Sequence, residues 1–208
     1  MRRIILGAAA IGAAAIVILV LVLFFAPRPV DTTESRVFQG DSSGIDYCRL
    51  PELTGPLVKA DDIPKAYTPG KGYESFPQPI LANCTEPLGP GSSDLRGLWQ
   101  AYTGLIGHTE RIEQCGNRVV VTSAGIMHDF RTDGTLRNGS NDIEPPLNMR
   151  TCSSVNFIDG VMTHYAFGLI PVVRRYLDGD ELVWTYPGHG ETRMKRICKL
   201  PPTIEEGN

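Results

Sequence analysis

The chain has 208 residues, 42% of them hydrophobic, with a formal net charge of −3 and a pI near 5.8. No basic surplus is available to neutralise phosphates, which argues against nucleic acid as a partner. The length accommodates one domain beside the apolar N-terminus and a proline-rich stretch.

Arg2 and Arg3 precede an uncharged apolar run from Ile4 to Phe25. As a helix those 22 residues would extend about 33 Å, enough to cross a hydrocarbon core of roughly 30 Å. The run holds 14 Leu, Ile, Val and Phe residues and nothing charged to oppose insertion. A secretory signal has a shorter apolar core and a small-x-small cleavage site. Here Phe24 occupies the position where a cut after Ala26 needs a small side chain. Residues 1–26 are therefore expected to be an uncleaved transmembrane signal-anchor helix. The flanking arginines would hold its N-terminus in the cytoplasm and leave the rest periplasmic or extracellular. Small residues four apart (Ala8/Gly12, Ala9/Ala13, Ala10/Ala14) would permit close helix packing, but also serve as plain filler in lipid.

Residues 27–94 read as a Pro/Gly-rich extended segment. Residues 26–94 hold 10 of the 16 prolines, which stop helices and central strands. Tyr47, Leu53, Leu57, Tyr67, Phe76, Ile80 and Leu81 are too many apolar side chains for a solvated linker, so part of the segment should lie against the domain that follows. Five cysteines (Cys48, Cys84, Cys115, Cys152 and Cys198) suit an oxidising compartment, and their odd number leaves at least one outside any bridge. The simplest pairing joins Cys48 to Cys84, with one bridge among the other three; buried thiols are the alternative. Asn83-Cys84-Thr85 and Asn138-Gly139-Ser140 fit the glycosylation sequon.

Residues 95–201 change character. β-rich runs alternate with turn signals: Leu95–Thr103, Thr109–Cys115, Arg118–Ser123, Gly125–Arg131, a short Thr135–Arg137, Thr151–Ile158, Val161–Phe167, Val172–Leu177, Glu181–Tyr186 and Glu191–Leu200. Gly116-Asn117, Asn138-Gly139, Asp159-Gly160 and Asp178-Gly179 supply the turn chemistry of tight hairpins. No long window carries a helical apolar stripe. The expected fold is all-β, an antiparallel meander closing into a barrel, because closure removes exposed edges, with a sandwich as the alternative that strand count alone does not separate. Residues 202–208 read as a disordered tail.

Gly97-Leu98-Trp99 opens the first strand, and Arg196 interrupts the apolar face Thr192, Met194, Cys198 and Leu200 of the last. In this the chain resembles the lipocalin and calycin superfamily, over about half of its length. The resemblance implies a barrel whose base is closed by Arg196 packing across Trp99, with Gly97 beside it. A lone Arg on an apolar face needs an aromatic face or an acidic partner in any case.

Alternation groups Leu182, Trp184 and Tyr186; Val155 and Phe157; and Val161, Thr163, Tyr165 and Phe167. Trp99, Tyr165, Phe167 and Trp184 are thus the expected ligand-lining residues, although the same aromatics would equally fill a solid barrel. No catalytic, metal-binding or cofactor residue is assigned. His128 and His164 are the histidines a haem ligand would require, and His128, His164 and Glu113 those an enzyme would use, but no spacing supports either. Asp133, Asn138, Asn141, Asp142 and Glu144 do not match a calcium loop, and turn chemistry explains them. Pro187-Gly188-His189-Gly190 reads as a turn, and the strand charges Arg174, Arg175, Arg193, Lys195 and Arg196 as mostly a solvated face. Two functions remain. One is a membrane-anchored extracytoplasmic lipocalin-like module binding a small apolar ligand or lipid. The other is an envelope structural module with a filled barrel that docks a protein partner.

Overall fold

The structure, a computed structural model, describes residues 16–17, 36–37, 48–68, 76–123, 126–137 and 153–197. The chain divides into two units, Met1–Val30 and Asp31–Asn208. Of the first, Ile16 and Val17 are helical and exposed. The rest of the expected membrane helix lies outside the described residues. No helix among the described residues is long and apolar enough to cross a membrane. Asn138–Glu144, Cys152, Cys198 and the 202–208 tail also lie outside them.

In the second unit, β1 (Arg36–Val37) pairs in parallel with β2 (Ala66–Tyr67). Nine further strands form one sheet: β3 (Gly97–Ala101), β4 (Thr109–Cys115), β5 (Arg118–Ser123), β6 (Ile126–Arg131), β7 (Ser153–Ile158), β8 (Val161–Ala166), β9 (Ile170–Asp178), β10 (Glu181–Tyr186) and β11 (Gly190–Ile197). The order is β6-β5-β4-β3-β11-β10-β9-β8-β7, and every neighbouring pair is antiparallel. The first and last strands therefore meet. The gap between β6 and β7 is bridged by the chain after β6: Asp133 pairs with Asn156 and Arg137 with Ser153, and the Gly134 amide donates to the Val155 carbonyl at 2.9 Å. The result is a nearly closed antiparallel barrel. Its hairpins follow the turn signals, as at Asp159-Gly160, where φ of 50° and 78° gives the two positive values a type I′ turn requires.

The registers fix the inward face. Trp99, Ile112, Val119, Val121, Phe130, Val155, Met162, Leu182 and Met194 form one buried core, with Leu95 entering from below. The base closes as the resemblance implies. Trp99 is fully buried and opposite Arg196, whose guanidinium lies 4.6 Å from the indole centroid. The indole Nε1 donates to the Leu95 carbonyl at 3.0 Å. A Cβ at Gly97 would stand 3.0 Å from both Arg196 Nε and Trp99 Nε1, closer than ordinary van der Waals contact, so the stack would have to shift to admit it. Arg196 itself is exposed and covers the base from outside.

The proline-rich segment packs on the outer face of β4–β6. Ala60, Ala66, Ile80, Leu81 and Cys84 form a second core with Cys115, Val120 and Met127. The bridge runs from Cys84 to Cys115, with Cα atoms 6.1 Å apart, and corrects the expected Cys48–Cys84 pairing. The reason is spatial: Cys115 ends β4 directly beneath the strap, and sequence proximity does not report that. Cys48 is half-buried.

Buried charges join strap to barrel. Arg118 donates to both Asp129 oxygens at 2.9 and 2.6 Å and to the carbonyls of Ala60, Ile63 and Pro64. Asp129 Oδ2 also accepts from the Ala66 amide at 3.0 Å. Arg111 donates to the Pro77 carbonyl at 2.9 Å, and Glu113 accepts from the Leu81 amide at 2.7 Å.

Candidate functional site

The barrel interior differs along its axis. Toward the base, Trp99, Ile112, Leu182 and Met194 are all fully buried, while Phe157 and Leu177 at its rim keep partial exposure. Toward the opposite end, formed by the β3–β4, β8–β9 and β10–β11 connections, the inward-facing Ile126, His128, His164 and Trp184 keep partial exposure. That half is also polar. Glu110 on β4 shares its face with Ile112, and Arg175 on β9 shares its face with Leu177. They meet across the interior in a two-pronged pair, Arg175 Nε to Glu110 Oε1 at 2.9 Å and Nη2 to Oε2 at 3.0 Å.

Trp184 stands beside this pair. The Arg175 guanidinium lies 5.5 Å from its ring centroid, and His108 stacks on it at 4.9 Å. His108 Nε2 comes within 3.6 Å of Glu110 Oε2, longer than a hydrogen bond. His108 Nε2 and Trp184 Nε1 are both buried with no hydrogen-bond partner among the described residues. On the facing wall, Phe130 packs between His128 at 5.8 Å and His164 at 5.2 Å.

Burial would push the Glu110 carboxyl up, but the Arg175 charge and the hydrogen bonds around it outweigh that and bring its pKa down to about 2. His164 moves the other way from a solvated imidazole. Burial first, then the neighbouring His128 and Arg175, lower its pKa to about 4. The upper interior therefore holds a neutralised ion pair, a neutral imidazole and unmatched ring nitrogens. That set can orient a polar head while aromatic walls hold an apolar body. Among the described residues no group of three or more His, Cys, Asp or Glu is placed to hold a metal.

Of the four expected ligand-lining residues, the structure places Trp99 in the closed base and Trp184 in the open half. Tyr165 and Phe167 lie at the end of β8 and in the turn after it. Val155 pairs with His164 and Phe157 with Met162, so the apolar Val155/Phe157 face draws Met162 and His164 inward and leaves Tyr165 on the outer face. Phe167 sits in the turn after β8 with φ of 55°. Arg175, expected on a solvated face, is only 7% exposed and points inward. His128 and His164 share the interior, whereas Glu113 is buried under the strap. Glu110, Arg175 and His108 carry the site and were not singled out from the sequence. The available signal was a charged residue on an otherwise apolar alternating face, the same signal that marked Arg196.

No family model matches the chain, and no curated protein matches it. Among solved structures it is similar to human cRBP IV at 14% identity and a TM-score of 0.38, over 50% of this chain and 99% of that one.

Proposed function

We propose that this chain is a membrane-tethered, extracytoplasmic carrier whose lipocalin-like barrel takes a small, largely apolar molecule or lipid through its open end. The observation that carries the reading is the inward face around Trp184, where Trp184, His128 and His164 keep partial exposure beside buried ring nitrogens of His108 and Trp184 that have no hydrogen-bond partner among the described residues. Exposed apolar side chains on the connections around the open end support entry of an apolar body. Leu169 is 81% exposed, Ile106 78% and Ile170 56%. The tether is the Ile4–Phe25 run of the sequence.

Native mass spectrometry of the full-length protein in amphipol tests this. The expected result is a stoichiometric adduct of low mass. Titration with ten-carbon alkyl probes should quench tryptophan emission in the native protein, and the Trp184→Phe variant should lose that response. Protein without adduct that also ignores every probe would end the carrier reading. A stoichiometric protein partner crosslinked in membranes would then favour the interaction module.

A further inference from the structure

We propose that the open half selects an uncharged, hydrogen-bond-accepting head, such as the alcohol or ester of an alkyl lipid, over a free carboxylate. This rests on the carrier reading above. Of the charged side chains facing that half among the described residues, Glu110 and Arg175 cancel each other in a two-pronged pair. The pair is sealed from solvent, with Glu110 fully buried and Arg175 nearly so. The Arg175 cation would otherwise be a carboxylate receptor, but its Nε and Nη2 edge is occupied. An entering carboxylate would meet no uncompensated cation and would stand beside the anionic Glu110, so it would be desolvated without a matching charge.

What the site offers instead is neutral hydrogen bonding. Among the described residues, Trp184 Nε1 is a buried donor without a hydrogen-bond partner and His108 Nε2 a buried nitrogen without one. The two rings are stacked 4.9 Å apart, and Arg175 lies over the same indole. Both nitrogens therefore belong to one stacked pair of rings. A hydroxyl there would accept from the indole and exchange a hydrogen bond with the imidazole. An ester carbonyl would accept from the indole alone. Glu110 strengthens the argument because the Arg175 charge keeps it ionised despite burial. It is therefore a standing anion at the place where a carboxylate head would sit.

The test compares 1-decanol, methyl decanoate and decanoate on the full-length protein in amphipol at pH 8, by native mass spectrometry and tryptophan quenching. Decanol and the methyl ester should bind at least 10-fold more tightly than decanoate. The Glu110→Gln variant frees the Arg175 charge and should raise decanoate affinity at least 10-fold relative to decanol. Partition into the amphipol is common to both proteins, so the change in the decanol-to-decanoate ratio reads the site. Decanoate equal to or tighter than decanol on the native protein overturns the proposal without needing any variant. An unchanged ratio in a folded Glu110→Gln protein overturns it as well. Absence of binding by all three probes overturns the carrier reading itself, and this proposal with it.

Discussion

Asp129→Ala should be among the most damaging single substitutions in the chain. Arg118 is fully buried and uses every N–H of its guanidinium, two on Asp129 and three on strap carbonyls. Truncating Asp129 removes two charge-assisted bonds, strands a buried cation and frees the Ala66 amide. Each charged hydrogen bond contributes about 1.5–3 kcal/mol, and breaking one side of a buried pair costs about 3–5 kcal/mol. The loss should therefore be about 4 kcal/mol. Against a total of about 5–15 kcal/mol that is a large fraction. For a unit of this size it lowers Tm by about 10 °C. The assay is urea unfolding followed by near-UV circular dichroism. Asp129→Asn, which keeps one acceptor, should fall between the two. The paired Arg118→Met/Asp129→Leu change should recover part of the loss, because no charge is then left buried. An Asp129→Ala loss below about 1 kcal/mol would mean that Arg118 finds water, and that the strap is not clamped as described.

Gly97→Ala should cost about 1–3 kcal/mol, since its methyl group would meet the Trp99–Arg196 stack at 3.0 Å. Arg196→Ala, which removes only an exposed cation over the ring, should cost about 1 kcal/mol; thermal melts of both variants check the order. Cys84→Ser/Cys115→Ser opens a bridge between positions 31 residues apart and should cost about 3–4 kcal/mol in the same melts. Stability should also fall with acid. His164 has a folded pKa of about 4, below its ordinary 6.5. The unfolded chain therefore binds more protons between those values, and the stabilisation present above pH 6.5 is lost as pH falls to about 4. The loss is about 3 kcal/mol. Urea midpoints at pH 7.5 and 4.5 should converge in His164→Gln; an identical pH slope in both proteins would refute the assignment. Glu110, lowered to about 2, adds a second loss only below its ordinary value of 4.5.

Much of the barrel was legible because alternation and turn chemistry act locally. Thr109–Cys115, Arg118–Ser123 and Glu181–Tyr186 form strands with the expected boundaries. The Trp99–Arg196 closure was readable because a cation on an apolar face has few ways to be satisfied. The site was harder to read because alternation leaves open which of two faces turns inward. On β8 the faces Val161/Thr163/Tyr165 and Met162/His164/Ala166 are similar in apolarity, and only the register with β7 separates them. On β9, Arg174 and Arg175 are adjacent, so one of them must face inward. Pairing with Trp184 assigns that place to Arg175.

The strap shows a different limit. Arg111, Glu113, Arg118 and Asp129 face away from the barrel axis on β4–β6, yet all four are buried. The reason lies in the segment that covers them. A proline-rich chain cannot build a ladder, so its buried carbonyls and amides need other partners. Arg118 and Arg111 donate to the carbonyls of Ala60, Ile63, Pro64 and Pro77, while Asp129 and Glu113 accept from the amides of Ala66 and Leu81. Paired charges outside β4–β6 and irregular backbone in residues 60–81 therefore satisfy each other's polar groups. The apolar side chains of the segment showed that part of it lies against the domain, but neither half of this polar match is visible until both are in place.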